Sequence, residues 1–498
     1  MKKYLIRISG LTDIEFNIPL FHGRKSEILS KVLLSFGVLS LFVFIILLPS
    51  LSLFFAGNFE NTTFGALILF VVSIVAFLGA FFVLQGKKVI VDPQYFLVVL
   101  FFALLTTAAS VLRSPAHITN TFGNSNARSL SGITIMCLVG FFYFFSFVVK
   151  DSKMLKRFTS AFNYSLVIFL VLVLFHTNIS DVNFVNSNLP IVLFAYFYLI
   201  ISLFLSKSNK ILKAILIAVS AIFVFLSPQT IPDSLISTQS ITIGILAIII
   251  LSVIYAGIRK DYLSEKVKEL KSIKTGFKEK KYSLSEVSYF LLILVSIIAV
   301  IVGVLVHFRF NFTANIILAP LDTFVVTLRN LFTGNLNLSK ILIGGSAYDA
   351  VTKSSNLNTS SSILTNVLIT QGLVGLIAYL VLFGTGILVL IKSIRKSLQQ
   401  KSHRVLVALS GFSLLFVTLY SVITYPGELF TIVWWFSFVS LTVFLAIKSL
   451  TKVFILEDWR VSRLFLKDKP GIYLRVLVSV IVLILGILTV ISITKITV

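Results

Sequence analysis

The sequence contains a single cysteine, Cys137, among its 498 residues. One thiol excludes an intramolecular disulfide and metal sites built from several thiolates. Cys137 falls inside a long apolar stretch, where we interpret it as a small packing residue. We also find no metal motif, P-loop, Gly-x-Ser-x-Gly or dinucleotide fingerprint in a suitable setting. The sequence therefore predicts neither a cofactor nor a bound metal.

Acidic residues are scarce, with 19 Asp and Glu against 43 Lys and Arg. The long apolar stretches contain almost none of them. Carriers coupled to protons or ions usually need carboxylates or histidines inside the membrane. Their scarcity therefore argues against ion-coupled transport.

Apolar residues dominate what is present, with a hydrophobic share of 57% and a mean hydropathy of +1.02. Such a chain is too apolar for a soluble domain. A helix crosses the hydrocarbon with about 20 apolar residues, and runs such as LVIFLVLVLF are apolar all round rather than alternating. We predict thirteen spans, at 32–54, 64–84, 95–111, 133–149, 158–176, 189–205, 211–227, 241–258, 288–308, 364–391, 405–425, 430–447 and 476–493.

The distribution of positive charge predicts the orientation of these spans. With the N-terminus in the cytoplasm, 35 of the 43 basic residues fall in the N-terminal arm and the even-numbered gaps. This is the bias of a membrane protein whose basic loops stay inside. We therefore predict a multi-pass protein of the cytoplasmic (inner) membrane with its C-terminus outside. The net charge of +24 then reflects orientation and contact with anionic lipid, with no nucleic-acid partner.

The predicted fold class is an all-α polytopic integral membrane protein with about 13 transmembrane helices, between 12 and 14. Residues 1–31 form a cytoplasmic arm, 32–308 contain helices one to nine, and 364–498 contain helices ten to thirteen with basic loops. Between them, 309–363 is a large outward loop, and loops longer than about 15 residues tend to be functional or disordered. We interpret it as a folded cap.

Within this cap, LDTFVVTLRNLF predicts a short surface helix, GNLNLSK a turn, and the Gly- and Ser-rich remainder an irregular return. The cytoplasmic gap at 259–287 interleaves Glu and Lys, which predicts a helical extension near the lipid headgroups. Farther on, GLVGL at 372–376 is apolar and embedded, and we interpret it as a site of close helix packing.

Several arginines lie in outward gaps, against the general bias: Arg113, Arg128, Arg309 and Arg329. A guanidinium suits a phosphate or diphosphate because it donates two parallel hydrogen bonds and stays charged when desolvated. This group therefore points to a lipid-linked diphosphate as ligand. The alternative is that these residues pair with lipid headgroups or with acidic neighbours.

Two acids of the cap, Asp349 and Asp322, are candidate general bases. A carboxylate can accept a proton from a sugar hydroxyl if its pKa suits. Asp322 follows Pro320, which is also the pattern of a residue at the start of a helix. Both interpretations stay open at this stage.

The order of these features resembles the O-antigen ligase and polymerase superfamily, the lipid-linked glycan transferases of bacterial envelopes. The resemblance covers most of the chain in topology, and its motifs occupy about 110–150 and 320–395. It rests on NTFGNSNARSLSG, on LRNLFTGNLNLSKILIGGSAYDAV and on NTSSSILTNVLITQGLVGLIAYLVLFGTGIL. The glycines at 344–345, 372 and 375 fit its pattern.

Three departures from that family affect the expected chemistry. Ser361 and Ser362 stand where the family has His-Asn, and Thr370 stands where it has an acid. The family also has an Arg at the outer start of a middle span. In this sequence that position falls near Gln239 and Ser240. The usual base and one phosphate-binding residue are thus replaced. A divergent subfamily, a non-catalytic relative and a displaced alignment are the three explanations.

The resemblance implies transfer of a polyprenyl-diphosphate-linked glycan, such as one on undecaprenyl diphosphate, to a hydroxyl acceptor in cell-envelope polysaccharide biosynthesis. Arg128, Arg329 and Arg113 would then hold the diphosphate, and Asp349 or Asp322 would act as base. The expected partners are this donor, the acceptor and membrane lipids, while the oligomeric state stays open. The alternatives are a lipid-linked sugar or polysaccharide transporter (flippase) and a non-catalytic relative in envelope assembly.

Overall fold

A computed structural model describes residues 152–177, 182–205, 235–272, 338–343, 362–399, 403–423 and 428–448, together with Leu39 and separate residues within 95–106, 135–149 and 324–329. The following account concerns these residues. The N-terminal arm and the predicted spans at 64–84, 211–227, 288–308 and 476–493 lie outside them.

All regular structure in the described part of the chain is helical, as the sequence predicts. The helices are α1 (Ser152–Thr177), α2 (Val182–Leu205), α3 (Leu235–Ser272), α4 (Leu338–Ile343), α5 (Ile363–Gln399), α6 (Arg404–Ile423) and α7 (Glu428–Lys448). Each of them except α4 coincides with one predicted span.

Five of these helices contain stretches long and apolar enough to cross a membrane. The stretches are Ser152–Val173, Thr242–Arg259, Gln371–Gln399, Arg404–Ile423 and Leu429–Ile447. Each reaches at least 18 residues, about the length that the hydrocarbon core requires. The chain is therefore a multi-pass membrane protein. In α2 the apolar stretch is shorter, Pro190–Ser202.

Helix α6 lies at the centre of the described bundle and contacts α2, α3, α5 and α7. Helix α7 packs against α5 and α1, and α2 packs against α1 and α3. The helix at the centre is also the most buried. In α6 89% of the apolar stretch is buried and in α7 83%, against 39% in α3. The outer helices expose apolar residues such as Val253 and Leu388, as lipid-facing surfaces do.

Two glycines allow neighbouring helices to approach closely. A Cβ built on Gly244 of α3 would stand 2.8 Å from Cζ of Phe197 in α2 and closer still to other ring atoms. A Cβ on Gly411 of α6 would stand 2.5 Å from Cδ1 of Leu390 and 3.2 Å from Cδ1 of Leu251. Small residues are common at such contacts because association inside lipid depends on close packing rather than on a hydrophobic driving force.

Many of the described basic residues lie at one end of the bundle, which we name the basic end. Helices α5 and α6 are joined by four residues, as are α6 and α7, so neighbours run antiparallel. The basic end is where α1 begins, α5 ends and α6 begins, and it carries Lys153, Arg157, Arg395 and Arg404. We name the opposite end, where α5 begins and α6 ends, the far end.

The described residues within 95–106 extend this antiparallel order. Lys392 near the end of α5 lies over the ring of Tyr95, with its Nζ 5.4 Å from the ring centroid. Phe102 meets Tyr379 of α5 edge-on, with centroids 5.1 Å apart. The residues between 95 and 106 therefore run from the basic end toward the far end, as the predicted topology requires.

One loop prediction needs correction, and another is confirmed as far as Ser272. The predicted turn GNLNLSK is wrong at its last residues, because Leu338–Lys340 open helix α4, which packs against α5. The apolar side chains of α4 explain the helix at this position, since Ile341 and Ile343 are half-buried. The helical extension predicted after residue 259 is confirmed, because α3 continues without a break to Ser272.

The glycines of GLVGL lie within α5. Gly372 adopts φ 64° and ψ −164°, a conformation open almost only to glycine, and it interrupts the helical backbone of α5. A Cβ on Gly375 would overlap the side chain of Gln371 from the same helix. Both glycines thus shape α5 itself, and close packing between helices at this motif stays a prediction.

Candidate functional site

The start of α5 defines the far end of the bundle. Ser362, which is 2% exposed, precedes the helix, and its Oγ accepts a hydrogen bond of 3.3 Å from the backbone N–H of Thr365. Its Oγ also lies 3.1 Å from Oγ1 of Thr365. This is the geometry of a helix N-cap. The position where the resembling family carries Asn in His-Asn is therefore occupied by a buried cap.

A cavity of about 30 Å³ lies at the far end, between α5, α6, α7 and the segments around Phe102 and Ile135. Its apolar lining includes Ile363 at the start of α5 and Val417 of α6. Hydroxyl groups are contributed by Tyr379, Ser421 and Thr431.

Five aromatic side chains that line this cavity form a closed ring, which we name the aromatic collar. The successive centroid distances are 6.2 Å for Trp435–Phe102, 5.1 Å for Phe102–Tyr379, 6.0 Å for Tyr379–Phe383, 5.5 Å for Phe383–Trp434 and 5.7 Å for Trp434–Trp435. Three of the contacts are edge-on, an arrangement that adds to the stability of aromatic packing.

The collar is held by a hydrogen bond and by close packing. The indole Nε1 of Trp434 donates to Oγ1 of Thr418 at 2.9 Å. A Cβ on Gly386 of α5 would stand 3.2 Å from Cζ2 of Trp434, so the absence of a side chain at Gly386 leaves room for the indole ring. The collar residues are 9% exposed or less. The far end therefore offers a rigid, largely apolar cavity with a few hydroxyls.

Sequence analysis did not single out the collar. Its members come from two helices, α5 and α7, and from the residues around 102, and aromatic residues are spread over the whole chain, as its 48 Phe show. The dipeptide Trp434–Trp435 was a usable signal, since the chain has only three tryptophans.

Arg329 is the one predicted site residue among those the structure describes. It is exposed and helical, whereas Phe324 and Leu328 of the same helical segment are half-buried and pack against the hydrophobic core. This confirms helix at the described residues of LDTFVVTLRNLF. The apolar face anchors the segment, and the guanidinium is exposed.

The other predicted site residues, Arg113, Arg128, Asp322 and Asp349, lie outside the described residues. Their convergence with Arg329 on a single cavity therefore stays a prediction. In the part of the chain that the structure covers, no group of three or more His, Cys, Asp or Glu side chains is arranged to hold a metal ion.

Comparison with known proteins adds no relative. No protein-family model matches the sequence, and neither a curated protein nor a solved structure is significantly similar to it.

Proposed function

We propose that this multi-pass membrane protein is a glycan transferase similar to the O-antigen ligase superfamily. It would take a glycan linked to polyprenyl diphosphate and pass it to a hydroxyl acceptor at the outer face of the cytoplasmic membrane. The observation that carries the proposal is Arg329, an exposed arginine on a helical segment anchored to the apolar core by Phe324 and Leu328. The proposed orientation has the basic end and the N-terminus in the cytoplasm and the C-terminus outside.

The reaction forms one bond and breaks one bond. The acceptor hydroxyl oxygen attacks the anomeric carbon of the glycan, and the bond from that carbon to the diphosphate oxygen breaks. The hydroxyl proton passes to a base, and polyprenyl diphosphate leaves with the bonding electron pair. The diphosphate is a good leaving group and its phosphoanhydride bond stays intact, so the lipid-linked donor is already activated and no nucleotide sugar is needed.

Arginine suits the leaving group in this reaction. Negative charge grows on the diphosphate as the glycosidic bond breaks, and preorganised donors stabilise such charge most strongly where water is excluded. In the proposal Arg329 contacts the diphosphate together with Arg128 and Arg113. Asp349 or Asp322 accepts the hydroxyl proton.

The aromatic collar supplies the apolar surroundings for the donor lipid. A polyprenyl chain is a hydrocarbon, and the collar offers aromatic faces and edges beside Ile363 and Val417. The hydroxyls of Ser421 and Thr431 line the same cavity. In the proposal the first isoprene unit lies against the collar and the diphosphate faces the cap.

The test uses the full-length chain in vesicles with a fluorescent oligosaccharide on undecaprenyl diphosphate and a hydroxyl-bearing glycan acceptor. Arg329→Ala is expected to lower the rate of transfer by about 100-fold, the effect typical of removing one donor to a developing charge. Arg329→Lys should retain part of the rate, because it keeps the charge and loses the bidentate geometry. The matched control is Arg395→Ala, an exposed arginine at the basic end.

Different outcomes separate the alternatives. Wild-type transfer by Arg329→Ala removes this residue from the mechanism. Movement of the labelled lipid across the vesicle membrane without a new glycosidic bond indicates a transporter or flippase. An absence of both activities in the folded wild-type chain favours a non-catalytic relative.

A further inference from the structure

A second cavity lies at the basic end, between α2, α3, α5 and α6. Its volume is about 50 Å³, and its walls are mainly apolar, with Ile201 and Leu205 from α2, Leu251 from α3 and Leu398 from α5. Polar atoms enter its lining from Ser252, Tyr255 and Arg259, all on α3. The cavity is thus a hydrocarbon-lined space with an arginine in its wall.

This cavity opens sideways, on the outer surface of α3. Ala256 lines it and is exposed, and the next residue, Gly257, is also exposed. A Cβ built on Gly257 would meet no atom within 4 Å. One turn earlier, Val253 is 64% exposed. Exposed apolar and small residues on a membrane-crossing helix face lipid, so the mouth of the cavity faces lipid chains.

Two arginines lie in the wall of the cavity or next to it. Arg259 is part of its wall, and Arg404 donates from Nη2 to the carbonyl oxygen of Leu398, another wall residue, at 3.2 Å. Neither α5 nor α6 contains an acidic residue. On α3 the first acid after Arg259 is Asp261. The lateral groove therefore has an apolar interior with Arg259 in its wall, and Arg404 is bonded to the backbone of the wall residue Leu398.

We propose that this groove binds an anionic glycerophospholipid. One acyl chain lies along Ala256 and Gly257 and enters the cavity, and the headgroup phosphate lies between Arg259 and Arg404. Basic pockets between transmembrane helices recognise anionic headgroups in this way. Phosphatidylcholine carries the same phosphate without net negative charge, so it is attracted less strongly to the two arginines, and a soluble anion makes no use of the lateral opening.

The net negative charge of the headgroup contributes most of the selectivity over phosphatidylcholine, whose choline offsets the charge of its phosphate. An acyl chain that leaves the bilayer for the groove exchanges one apolar environment for another, so it gains little from the hydrophobic effect. Charge-assisted hydrogen bonds from guanidinium to phosphate are strong and directional. The lipid then joins α3 to α6 at the basic end. This inference is independent of the proposed glycan transfer.

The experiment places the full-length chain in nanodiscs of phosphatidylcholine that contain a small fraction of phosphatidylglycerol with a photoreactive acyl chain. After illumination, mass spectrometry measures the lipid attached to peptides of 248–259 and 398–408. We expect Arg259→Ala to lower this labelling by about tenfold, as loss of one charge-assisted pair does. Ala256→Trp, which fills the mouth, should lower it to a similar extent.

Matched controls keep the outcome decisive. Arg395→Ala removes an arginine at the same end that does not line the cavity, and Leu380→Trp adds a bulky exposed side chain on α5, away from the cavity. Both should label as wild type does. If Arg259→Ala does not fold, Arg259→Gln replaces it. The proposal is overturned if photoreactive phosphatidylcholine labels these peptides equally, or if the Arg259 and Arg395 variants behave alike.

Discussion

The indole N–H of Trp434 donates a hydrogen bond of 2.9 Å to Oγ1 of Thr418, and this bond joins α7 to α6 inside the bundle. The same hydroxyl donates its proton to the carbonyl oxygen of Leu414, one turn earlier in α6, at 2.7 Å. Thr418 therefore accepts from one helix and donates within its own. This arrangement orients a tryptophan of the aromatic collar.

A double-mutant cycle tests this bond. Thr418→Val leaves the buried indole donor without its acceptor, and Trp434→Phe removes the donor, so the two changes should couple by about 0.6–1.7 kcal/mol in the free energy of unfolding. Unfolding of the detergent-solubilised chain by SDS, followed by circular dichroism, measures it. Ser413→Ala is the control, because its hydroxyl bonds to Leu409 of its own helix. Coupling of Ser413→Ala to Trp434→Phe of equal size would contradict the assignment.

Gly372 provides a second test on α5. An alanine at φ 64° and ψ −164° is strained, and we expect Gly372→Ala to lower the free energy of unfolding by about 1–3 kcal/mol. Gly384 of the same helix is exposed, and a Cβ there would meet nothing within 4 Å. Gly384→Ala should therefore be neutral or stabilise by up to about 1 kcal/mol. Equal thermal stability of the two variants would show that the break in α5 does not depend on Gly372.

The close approach of α2 and α3 gives a third prediction. Gly244→Ala places a methyl group against the ring of Phe197, and overpacking of this kind lowers the free energy of unfolding by about 1–3 kcal/mol. Gly257→Ala on the same helix meets open space and should have almost no effect. The two thermal unfolding midpoints, measured in one detergent, decide the question. A destabilisation by Gly257→Ala as large as that by Gly244→Ala would exclude the contact as its cause.

The proposed orientation can be tested by cysteine accessibility. Cys137→Ser removes the single thiol, and Lys340→Cys or Ser264→Cys then introduces one on each predicted side of the membrane. A membrane-impermeant maleimide added to intact cells should label residue 340 and leave residue 264 unlabelled. Labelling of both after lysis confirms that the thiols can react. Protection of residue 340 in intact cells would reverse the topology and remove Arg329 from the outer face.

Helix positions were predictable because they follow from hydropathy alone. The positions of the six long described helices, all but α4, were each anticipated, since a run of about 20 apolar residues has few alternatives to a helix in lipid. Their ends were predicted less closely, except in α3, whose extension beyond residue 259 was anticipated. Helix α3 continues to Ser272 because Glu and Lys are good helix formers outside the apolar stretch as well.

The candidate site was predictable only in part. The helix in LDTFVVTLRNLF was anticipated and is found at its described residues, which include Arg329, while the role of Arg329 as a diphosphate ligand stays a prediction. The cap at Ser362 was missed because Ser361 and Ser362 were compared with a motif of the resembling family, not with the start of a helix. Ser-x-x-Thr before an apolar run was a usable signal for it.

The sequence by itself determined that the chain crosses a membrane as helices and that its basic residues favour one side, because both depend on composition counted along the chain. Only the tertiary structure decided which surfaces meet. The aromatic collar joins residues as distant in sequence as Phe102 and Trp435, and the lipid-facing groove joins Leu205 to Arg259 and Leu398. Such contacts depend on which antiparallel helices become neighbours, and hydropathy does not distinguish one apolar face from another.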